Sequence, residues 1–235
     1  MRTVPRRTHN LPGRFGIGLQ ARLNSTRLPR KALLPLAGEP SLIYALRRLA
    51  RIPADIYGLL TDGESFEELY ALGNNEGFIV CKGSTNDVLS RYASFVEEFR
   101  LDFVIRATGD NPLVFIDHLP RLIDAFVNHK ADYGVTTFLP YGAGIELIRG
   151  SALTRAHQEA SSSYDREHVC PYIYSEDRGF RIIEVTADTV YQGPHLRITL
   201  DSPEDYVYLQ KLFRVPKIAR STSDRELITQ ILGVS

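Results

Sequence analysis

The 235-residue sequence predicts an α/β fold in three layers, with helices on both faces of a mostly parallel sheet. Through the first half, short apolar runs alternate with apolar residues at helical spacing, which is typical of parallel strands joined by right-handed crossovers. Hydrophobic residues make up 43% of the chain, enough for a substantial buried core. Ligands of such sheets bind beyond the carboxyl ends of the strands, so the loops at that edge are the first candidates for a site.

In the first half, predicted strands and helices take turns along the chain. The predicted strands are Arg14–Gln20, Ile56–Leu60, Phe78–Cys81, Phe103–Ala107 and Tyr133–Thr137. The predicted helices between them are Ser41–Arg51, Glu64–Leu72, Thr85–Phe99 and Leu119–Val127. We expect Ser41 to cap the first helix, because serine side chains commonly accept a hydrogen bond from the first helical turn.

The second half is less regular. Its predicted strands are Ile145–Ile148, Arg181–Val185 and Leu196–Leu200, and its predicted helix is Ala152–Ala160. The last strand leads into Ser202-Pro203-Glu204-Asp205, where a serine cap, an early proline and two acids indicate the start of another helix. We expect a loosely ordered extension over residues 1–13 and one domain over 14–235, with a smaller subregion at about 140–190.

Composition argues against several classes of protein. Lysine plus arginine equals aspartate plus glutamate, 28 each, which lacks the basic excess of a broad nucleic-acid binder. Cys81 and Cys170 have no metal-ligand spacing, and we expect both to behave as small buried hydrophobic residues. Because lone thiols suit a reducing compartment, we also expect a cytoplasmic protein. No apolar run approaches the ~20 residues of a membrane span, and no apolar segment follows the basic N-terminus as in a secretory signal.

A basic loop follows the first strand. The segment Gln20–Lys31 (QARLNSTRLPRK) places Arg22, Arg27, Arg30 and Lys31 among small polar residues. Several cations and accessible backbone N–H groups are what a triphosphate requires. The P-loop pattern is absent, and the nearby glycines precede the strand or lie inside it, so they form no dinucleotide fingerprint. On charge alone, a solvated basic loop remains an equally good interpretation.

Two aspartates come at the ends of predicted strands. Asp110 lies in TGDNP and Asp201 in LDSPED. Each alone is typical of a turn or capping residue. Together, at one edge of a sheet, they could ligate a Mg²⁺ ion that bridges nucleotide phosphates, because Mg²⁺ usually takes only one or two carboxylates with phosphates and waters. Glu204 and Asp205 are interpreted as helix-capping acids.

Five segments in order carry a family resemblance. They are IGLQARLNSTRLPRKALLPLAG (Ile17–Gly38), GSTNDVLSRY (Gly83–Tyr92), VIRATGDNPL (Val104–Leu113), DREHVCPYIY (Asp165–Tyr174) and LRITLDSPEDY (Leu196–Tyr206). They resemble the cytidylyltransferases that activate acidic sugars (acylneuraminate and CMP-KDO synthetase-like), and above all the spore-coat polysaccharide branch. The resemblance covers nearly all of residues 14–206. It implies the Rossmann-like fold of nucleotide-diphospho-sugar transferases, and a Mg²⁺-dependent transfer of CMP from CTP to an acidic sugar or small phosphonate.

For the basic loop, the resemblance implies contacts with the triphosphate. The implied nucleotide-binding residues here are Gln20, Ala21, Arg22, Asn24, Ser25, Arg27 and Lys31. Arg22 and Lys31 would bind phosphate and, with Asp110, make up the catalytic set. The family commonly has glycine where this chain has Asn24 and Arg30. Asparagine tolerates a left-handed turn better than most residues, whereas Arg30 either points to solvent or adds a phosphate contact.

Base and acceptor contacts are also implied by the resemblance. The positions near the cytosine are Thr61, Lys82, Gly83, Arg106 and Thr108, with lysine at 82 in place of the usual arginine. The acceptor side would use Glu146, Arg166, Glu167 and His168. Arg166 could hold a carboxylate or phosphonate, and Glu146 a hydroxyl or ammonium. His168 is either structural or part of the acceptor pocket or dimer seam.

The expected partners are CTP and a small anionic acceptor, without nucleic acid or membrane, and the family resemblance implies a homodimer. Three alternatives remain open. A glycosyltransferase would share the fold but is not expected to carry the RLPRK segment. A catalytically silent nucleotide-binding subunit would have lost a metal aspartate. A basic-loop interaction module would show no dependence on CTP.

Overall fold

The computed structural model describes residues 11–214 and 222–234, so most of the predicted extension over residues 1–13 lies outside the described residues. The strands are β1 (Phe15–Gln20), β2 (Pro35–Leu36), β3 (Glu39–Pro40), β4 (Ile56–Asp62), β5 (Ile79–Gly83), β6 (Phe103–Thr108), β7 (Tyr133–Thr137), β8 (Glu146–Arg149) and β9 (Ile182–Thr186). The helices are α1 (Ser41–Leu49), α2 (Phe66–Asn75), α3 (Val88–Phe99), α4 (Leu119–Asn128), α5 (Gly150–Glu159), α6 (Ser163–His168), α7 (Pro171–Tyr174), α8 (Pro203–Leu212) and α9 (Asp224–Val234). Short 3₁₀ helices lie at Lys31–Leu33, Glu176–Arg178 and Thr189–Tyr191.

The main sheet has the strand order β5-β4-β1-β6-β8-β7-β9, and β2 and β3 form a separate small ribbon. β8 runs antiparallel to β6 and β7, whereas the other neighbours in this sheet are parallel. The predicted mostly parallel sheet is therefore confirmed. β8 enters between β6 and β7, which follow one another in the chain. Because β8 is antiparallel, its first residue, Glu146, lies at the carboxyl edge of the parallel strands.

Helices cover both faces of the sheet, as the sequence predicts. The apolar faces of α1, α2 and α4 pack on one side, and those of α3, α5 and α7 on the other. A third cluster of buried side chains joins α8 and α9 to the extended segment before α8. The first two clusters bury the apolar stripes that the helical spacing in the sequence indicated for α1 to α5, whereas α7 and α9 were not predicted.

Aromatic side chains of α3 pack over glycines of the sheet. A Cβ atom added to Gly18 would lie 2.7 Å from the ring of Tyr92, and one added to Gly58 would lie 2.5 Å from the ring of Phe95. The Tyr92 hydroxyl also donates to the carbonyl oxygen of Gly18 (2.9 Å). Gly18, inside β1, therefore serves helix packing, in agreement with the absence of a dinucleotide fingerprint.

The predicted strand Leu196–Leu200 is wrong. The segment is extended, but it makes one isolated bridge, between Arg197 and Tyr141, and the N–H of Leu200 donates to the carbonyl of Asp110 (2.8 Å). Its backbone groups pair with loops instead of a neighbouring strand. An apolar pattern of strand length does not specify a partner, and here the backbone partners are the loop residues Tyr141 and Asp110.

The predicted cap of α1 is also wrong. Pro40 takes the N-cap position, and the Ser41 hydroxyl donates instead to the carbonyl oxygen of Lys31 (2.8 Å). Competition between helix caps and other backbone acceptors is common for serine. The bond ties the start of α1 to the end of the basic loop.

The start of α8 is confirmed. Ser202 accepts from the N–H of Asp205 (3.2 Å), and Asp205 accepts from the N–H of Ser202 (3.0 Å), which makes a reciprocal capping box with Pro203 in the first turn. The Asp205 carboxylate also accepts from the N–H of Asp201 (2.9 Å). The cap therefore holds Asp201 at the sheet edge, although the segment before it is not a strand.

Both cysteines are free, with Cys170 buried and Cys81 half-buried. Burial raises the pKa of the Cys81 thiol to about 11 and that of Cys170 well above its ordinary value, so both resemble small apolar side chains. In the part of the chain that the structure describes, none of the helices has the length and apolar character needed to cross a membrane.

Candidate active site

A cavity of about 810 Å³ opens at the carboxyl ends of β1 and β6. Residues predicted from the sequence that line it are Gln20, Ala21, Arg22, Ser25, Arg27, Lys31, Arg106, Thr108, Asp110, Glu146, Glu167, His168 and Asp201. The fold thus brings the basic loop, both aspartates and part of the predicted acceptor side to one place.

The basic loop folds back on itself before it reaches Lys31. The N–H groups of Ser25 and Arg30 both donate to the carbonyl of Leu23 (3.0 and 2.9 Å). Arg30 has a left-handed backbone (φ 57°) immediately before the 3₁₀ helix that begins at Lys31. The left-handed turn therefore lies at Arg30 and not at Asn24. Glycine takes this conformation without strain, which explains why glycine is common at this position in the family that the sequence resembles.

The side chain of Arg30 lies outside the cavity. Its Nη1 atom donates to Glu68 of α2 (2.9 Å), and both side chains are exposed. Of the two alternatives for Arg30, the surface position is the one the structure shows. The cations of the loop are therefore divided between the cavity and the outer surface.

The ammonium group of Lys31 lies between the two predicted metal ligands. Its Nζ atom is 2.9 Å from a carboxylate oxygen of Asp110 and 2.6 Å from one of Asp201. The three side chains are only 12 to 25% exposed. Residues 79 and 170 positions apart from Lys31 in the chain thus form one cluster.

The protonation of this cluster follows from its charges. Burial disfavours the Lys31 ammonium, but attraction to Asp110 and Asp201 outweighs burial and raises its pKa above the ordinary value. Burial also disfavours the Asp110 carboxylate, but Lys31 and a hydrogen bond from Thr108 hold its pKa below the usual range. Lys31 is therefore cationic and Asp110 anionic at neutral pH.

Arg22 and Arg27 complete the cationic side of the cavity. Arg22 donates to a carboxylate oxygen of Glu167 on α6 (2.9 Å), so the predicted phosphate ligand and a predicted acceptor residue contact each other. Arg27 is 73% exposed, and its guanidinium is 3.8 Å from Asp201. Both arginines are accessible to an anion that enters the cavity.

A row of hydrogen-bonded side chains crosses the cavity floor from β1 to β7. The Nε atom of Arg106 donates to Gln20 (3.0 Å), its Nη1 atom pairs with Glu146, and the Tyr133 hydroxyl donates to Glu146 (2.6 Å). Arg106 and Glu146 are opposite one another in the β6–β8 register. Burial opposes the charge of Arg106, but Glu146 outweighs burial and raises its pKa. The predicted base-side and acceptor-side residues therefore neutralise each other.

Some predicted nucleotide-binding residues do not line the cavity: Asn24, Thr61, Lys82 and Gly83. Thr61 is fully buried at the end of β4, and its hydroxyl has no hydrogen-bond partner in residues 11–214 and 222–234. The Lys82 ammonium lies 5.6 Å from the centre of the Phe66 ring. For Thr61, Lys82 and Gly83 a contact with the base stays a prediction, as does a contact of Asn24 with the triphosphate.

Arg166 makes structural contacts, and its predicted contact with the acceptor stays a prediction. Its guanidinium pairs with Asp87 (2.8 Å) and donates to the carbonyls of His157 (2.8 Å) and Ala160 (3.0 Å). These bonds join α6 to the start of α3 and the end of α5, and Arg166 does not line the cavity. His168 does line it, with its ring centre 4.4 Å from that of Tyr164.

Arg91 is a cavity residue that the sequence reasoning missed. It is buried, and it donates to the carbonyls of Ser84 (2.6 Å) and Thr85 (3.0 Å) in the loop after β5. Burial lowers its pKa despite attraction to Asp62. Arg91 falls within the GSTNDVLSRY segment, so that motif carried the signal, but helical spacing alone indicated only a core helix.

An aromatic wall on the acceptor side was also missed. Phe138, Tyr141 and Tyr174 line the cavity with large exposed areas. Phe138 has a left-handed backbone (φ 64°), which is rare for a bulky residue and common at functional sites. Isolated aromatic residues are usually interpreted as core or surface, so only the fold could assign these three to a cavity.

The carboxylates of Asp110 and Asp201 could hold a magnesium ion. They are close enough for Lys31 to contact both, and Mg²⁺ prefers one or two carboxylates together with phosphate oxygens and waters. No group of three or more His, Cys, Asp or Glu side chains is arranged to hold a metal within the described ranges 11–214 and 222–234. The residues therefore fit an ion that takes its remaining ligands from a nucleotide.

A sequence profile described as cytidylyltransferase matches residues 18–227. The chain belongs to the cytidylyltransferase family. The spore coat polysaccharide biosynthesis protein SpsF of Bacillus subtilis is 31% identical over 218 residues, which cover 90% of this chain and 91% of that protein. The resemblance to the spore-coat branch, drawn from five sequence segments, is thereby confirmed, and the chain is a nucleotidyltransferase.

Solved structures agree with this cytidylyltransferase assignment. A cytidylyltransferase of Leptospira borgpetersenii superposes with a TM-score of 0.85 at 27% identity and covers 94% of each chain. A CMP:2-keto-3-deoxy-manno-octonic acid synthetase solved with CTP has a TM-score of 0.63 at 17% identity, covering 86% of this chain and 98% of its own. At that identity the second likeness shows the fold alone, which confirms the predicted Rossmann-like nucleotidyltransferase architecture.

Proposed function

We propose that this cytidylyltransferase transfers CMP from CTP to an acidic sugar or small phosphonate, with magnesium as cofactor and pyrophosphate as the second product. The observation that carries the proposal is the cluster of Lys31, Asp110 and Asp201 beside the basic loop. It combines a cation for phosphate with two carboxylates for a metal. The names of the relatives support acidic-sugar and polysaccharide chemistry.

The chain's own residues would act mainly by position and charge. Attack of an acceptor oxygen on the α-phosphate needs an in-line arrangement and neutralisation of charge on the leaving pyrophosphate. Lys31 and Arg22 lie on the loop that lines the cavity, and each can turn from its present carboxylate to a phosphate oxygen. A magnesium ion held by Asp110 and Asp201 would add positive charge at the phosphates.

The acceptor would bind between the nucleotide and the aromatic wall. Phe138, Tyr141 and Tyr174 offer apolar faces on which a sugar ring can lie. Glu146 is already bonded to Arg106 and Tyr133, so it is poorly suited to remove a proton from the acceptor. An acceptor oxygen that is ionised in solution, or activated by the metal, fits this arrangement best.

The direct test is pyrophosphate release from CTP. The protein is mixed with CTP, Mg²⁺ and a panel of acidic sugars and small phosphonates, and ATP, GTP and UTP replace CTP in parallel. We expect release with CTP and at least one acceptor, and loss of release when EDTA removes the metal. Undetectable CTP binding together with no release for any acceptor would contradict the proposal. Release of a sugar-free nucleoside diphosphate from a nucleotide sugar would instead indicate a glycosyltransferase.

Two substitutions test the cluster. Asp110→Ala and Lys31→Ala should each lower turnover by about a thousandfold or more, because the first removes a ligand of the proposed metal and the second removes a cation that neutralises the phosphates. The matched control is Arg30→Gln, which removes a cation of the same loop that faces Glu68 outside the cavity. Circular dichroism checks that all three variants fold. A wild-type rate in either cluster variant, or an equal loss in Arg30→Gln, would show that the cluster is not the site.

The homodimer and the cytoplasmic location expected from the sequence stay predictions. Light scattering at several protein concentrations measures the first.

A further inference from the structure

Lys31 is held where it is by contacts at both ends. Its carbonyl oxygen accepts from the Ser41 hydroxyl (2.8 Å), which ties the backbone to the start of α1. Its ammonium lies 2.9 Å from Asp110 and 2.6 Å from Asp201. The side chain is only 15% exposed, so solvent screens this attraction weakly.

The position of this ammonium matters for a divalent cation. An ion ligated by one oxygen each from Asp110 and Asp201 has to lie between them, at about 2.0–2.1 Å from each oxygen. The Lys31 nitrogen lies between the same pair of oxygens, Asp110 Oδ2 and Asp201 Oδ1. Two cations cannot share that position, because both the repulsion between their charges and the overlap of their ligand shells oppose it.

We propose that the Lys31 ammonium occupies the position a divalent cation takes between Asp110 and Asp201, so that metal binding displaces Lys31 and is coupled to nucleotide binding. This inference rests on the proposed function, since the anion that receives the displaced ammonium is a nucleotide phosphate. Lysine suits the exchange, because its ammonium is a compact charge on a flexible four-carbon stem. The same lysine thus keeps two neighbouring carboxylates neutralised and makes metal and nucleotide each raise the affinity for the other.

The surroundings identify where the ammonium can go. Arg22 and Ser25 lie on the same loop and line the same cavity, so a triphosphate held there comes within reach of the lysine stem. Arg27 offers a comparison within the loop. It also approaches Asp201, but its distance of 3.8 Å is too long for a hydrogen bond, and its side chain is 73% exposed. Arg27 therefore adds charge near the cluster without occupying the space between the two oxygens.

The experiment measures Mn²⁺ binding by electron paramagnetic resonance, since bound and free Mn²⁺ are distinguishable without turnover. The wild-type protein is compared with Lys31→Met, Lys31→Arg and Arg27→Met, each with and without α,β-methylene-CTP, which resists transfer. Circular dichroism confirms folding. Lys31→Met retains the length of the side chain and removes its charge, whereas Lys31→Arg retains the charge.

We expect Lys31→Met to bind Mn²⁺ without nucleotide about tenfold tighter or more than wild type, because the competing cation is gone. Without nucleotide, the Mn²⁺ affinities of Lys31→Arg and Arg27→Met should stay within about threefold of the wild-type affinity. The factor by which the CTP analogue strengthens Mn²⁺ binding should be largest in the wild type and at least several-fold smaller in Lys31→Met.

Two results would overturn the inference while leaving the proposed function intact. One is Mn²⁺ binding to Lys31→Met that is no tighter than wild type, with normal binding in the presence of the analogue. The other is an equal gain in Arg27→Met, which would indicate general electrostatics instead of displacement. Absence of Mn²⁺ binding to the wild type with the analogue present would overturn both the inference and the metal part of the proposed function. Should Lys31→Met fail to fold, Lys31→Gln takes its place with the same expected gain.

Discussion

Lys31, Arg22 and Arg106 all face carboxylates of their own chain. Lys31 contacts Asp110 and Asp201, Arg22 contacts Glu167, and Arg106 contacts Glu146. An anionic substrate therefore has to compete for cations that are already paired. Replacing the exposed Arg22–Glu167 pair by a contact with phosphate costs little free energy, whereas breaking the buried Arg106–Glu146 pair costs much more. This difference separates Arg22, which can turn toward phosphate, from Arg106, which holds the cavity floor. Lys31 is only 15% exposed, so it would turn only when another cation takes its place between the carboxylates.

The Arg106–Glu146 pair gives a prediction at this scale. Glu146→Gln should lower the free energy of unfolding by about 3 kcal/mol, because it leaves a buried guanidinium without its counter-charge. Tyr133→Phe should cost only about 1 kcal/mol, since Glu146 retains Arg106. Urea denaturation at neutral pH measures both values.

The control for this prediction is Glu68→Gln, which breaks the exposed pair with Arg30. We expect no measurable change in its unfolding midpoint, because solvent screens that pair. A smaller effect for Glu146→Gln than for Tyr133→Phe would contradict the idea that the buried pair stabilises the floor.

Among the elements, α8 supports the site through the cap at its N-terminus. Asp205 accepts from the N–H of Asp201 and of Ser202, and it pairs with Arg197 (2.7 Å). A single carboxylate thus caps the helix and fixes the backbone of a predicted metal ligand. Ser202 takes part in the cap but makes no bond to Asp201.

A second prediction distinguishes the two functions of this carboxylate, which caps α8 and fixes the backbone of Asp201. Ser202→Ala should cost about 1 kcal/mol of stability, as is usual for a lost helix cap, with kcat close to wild type. Asp205→Asn should lower kcat by about tenfold or more, because the support behind a metal ligand is weakened. Thermal unfolding and pyrophosphate release measure the two effects. Equal losses of kcat in both variants would show that the cap acts on the site only through overall stability.

For the whole molecule, pH dependence of stability follows from a buried histidine. His118 is 7% exposed at the start of α4, and neither ring nitrogen has a hydrogen-bond partner in the described part of the chain. Burial lowers its pKa to about 4 and outweighs the opposite effect of the neighbouring Asp117. The folded protein therefore holds His118 neutral where the unfolded chain, with an ordinary pKa near 6.5, is protonated.

The sign of the effect is a loss of stability toward acid. Between pH 6.5 and 4 the unfolded state binds the extra proton, so the free energy of unfolding falls as pH falls, by about 3 kcal/mol from this one residue. His118→Leu should reduce the drop between pH 7 and 4 by that amount. Urea denaturation across this range measures it, and parallel curves for the two proteins would contradict the assignment.

Local patterns in the sequence predicted most of the elements and much of the cavity. Helical spacing located α1 to α5, and Ser202-Pro203-Glu204-Asp205 located the start of α8. The basic loop and the two aspartates, found from residue type and position, do meet around Lys31. These features depend on neighbours within a few residues, or on the rule that parallel strands present their carboxyl ends at one edge.

What the sequence by itself determined was the family, the layered α/β fold and the loop that carries the cations. The tertiary structure alone decided which partners the charged residues take. It placed β8 between β6 and β7, so Glu146 neutralises Arg106; it turned Arg166 toward Asp87; and it left Leu196–Leu200 without a strand partner. Each outcome depends on groups from 40 to 89 residues apart. Local propensity does not encode such distant choices, because they are settled by which backbone and charged groups remain unpaired once the sheet has formed.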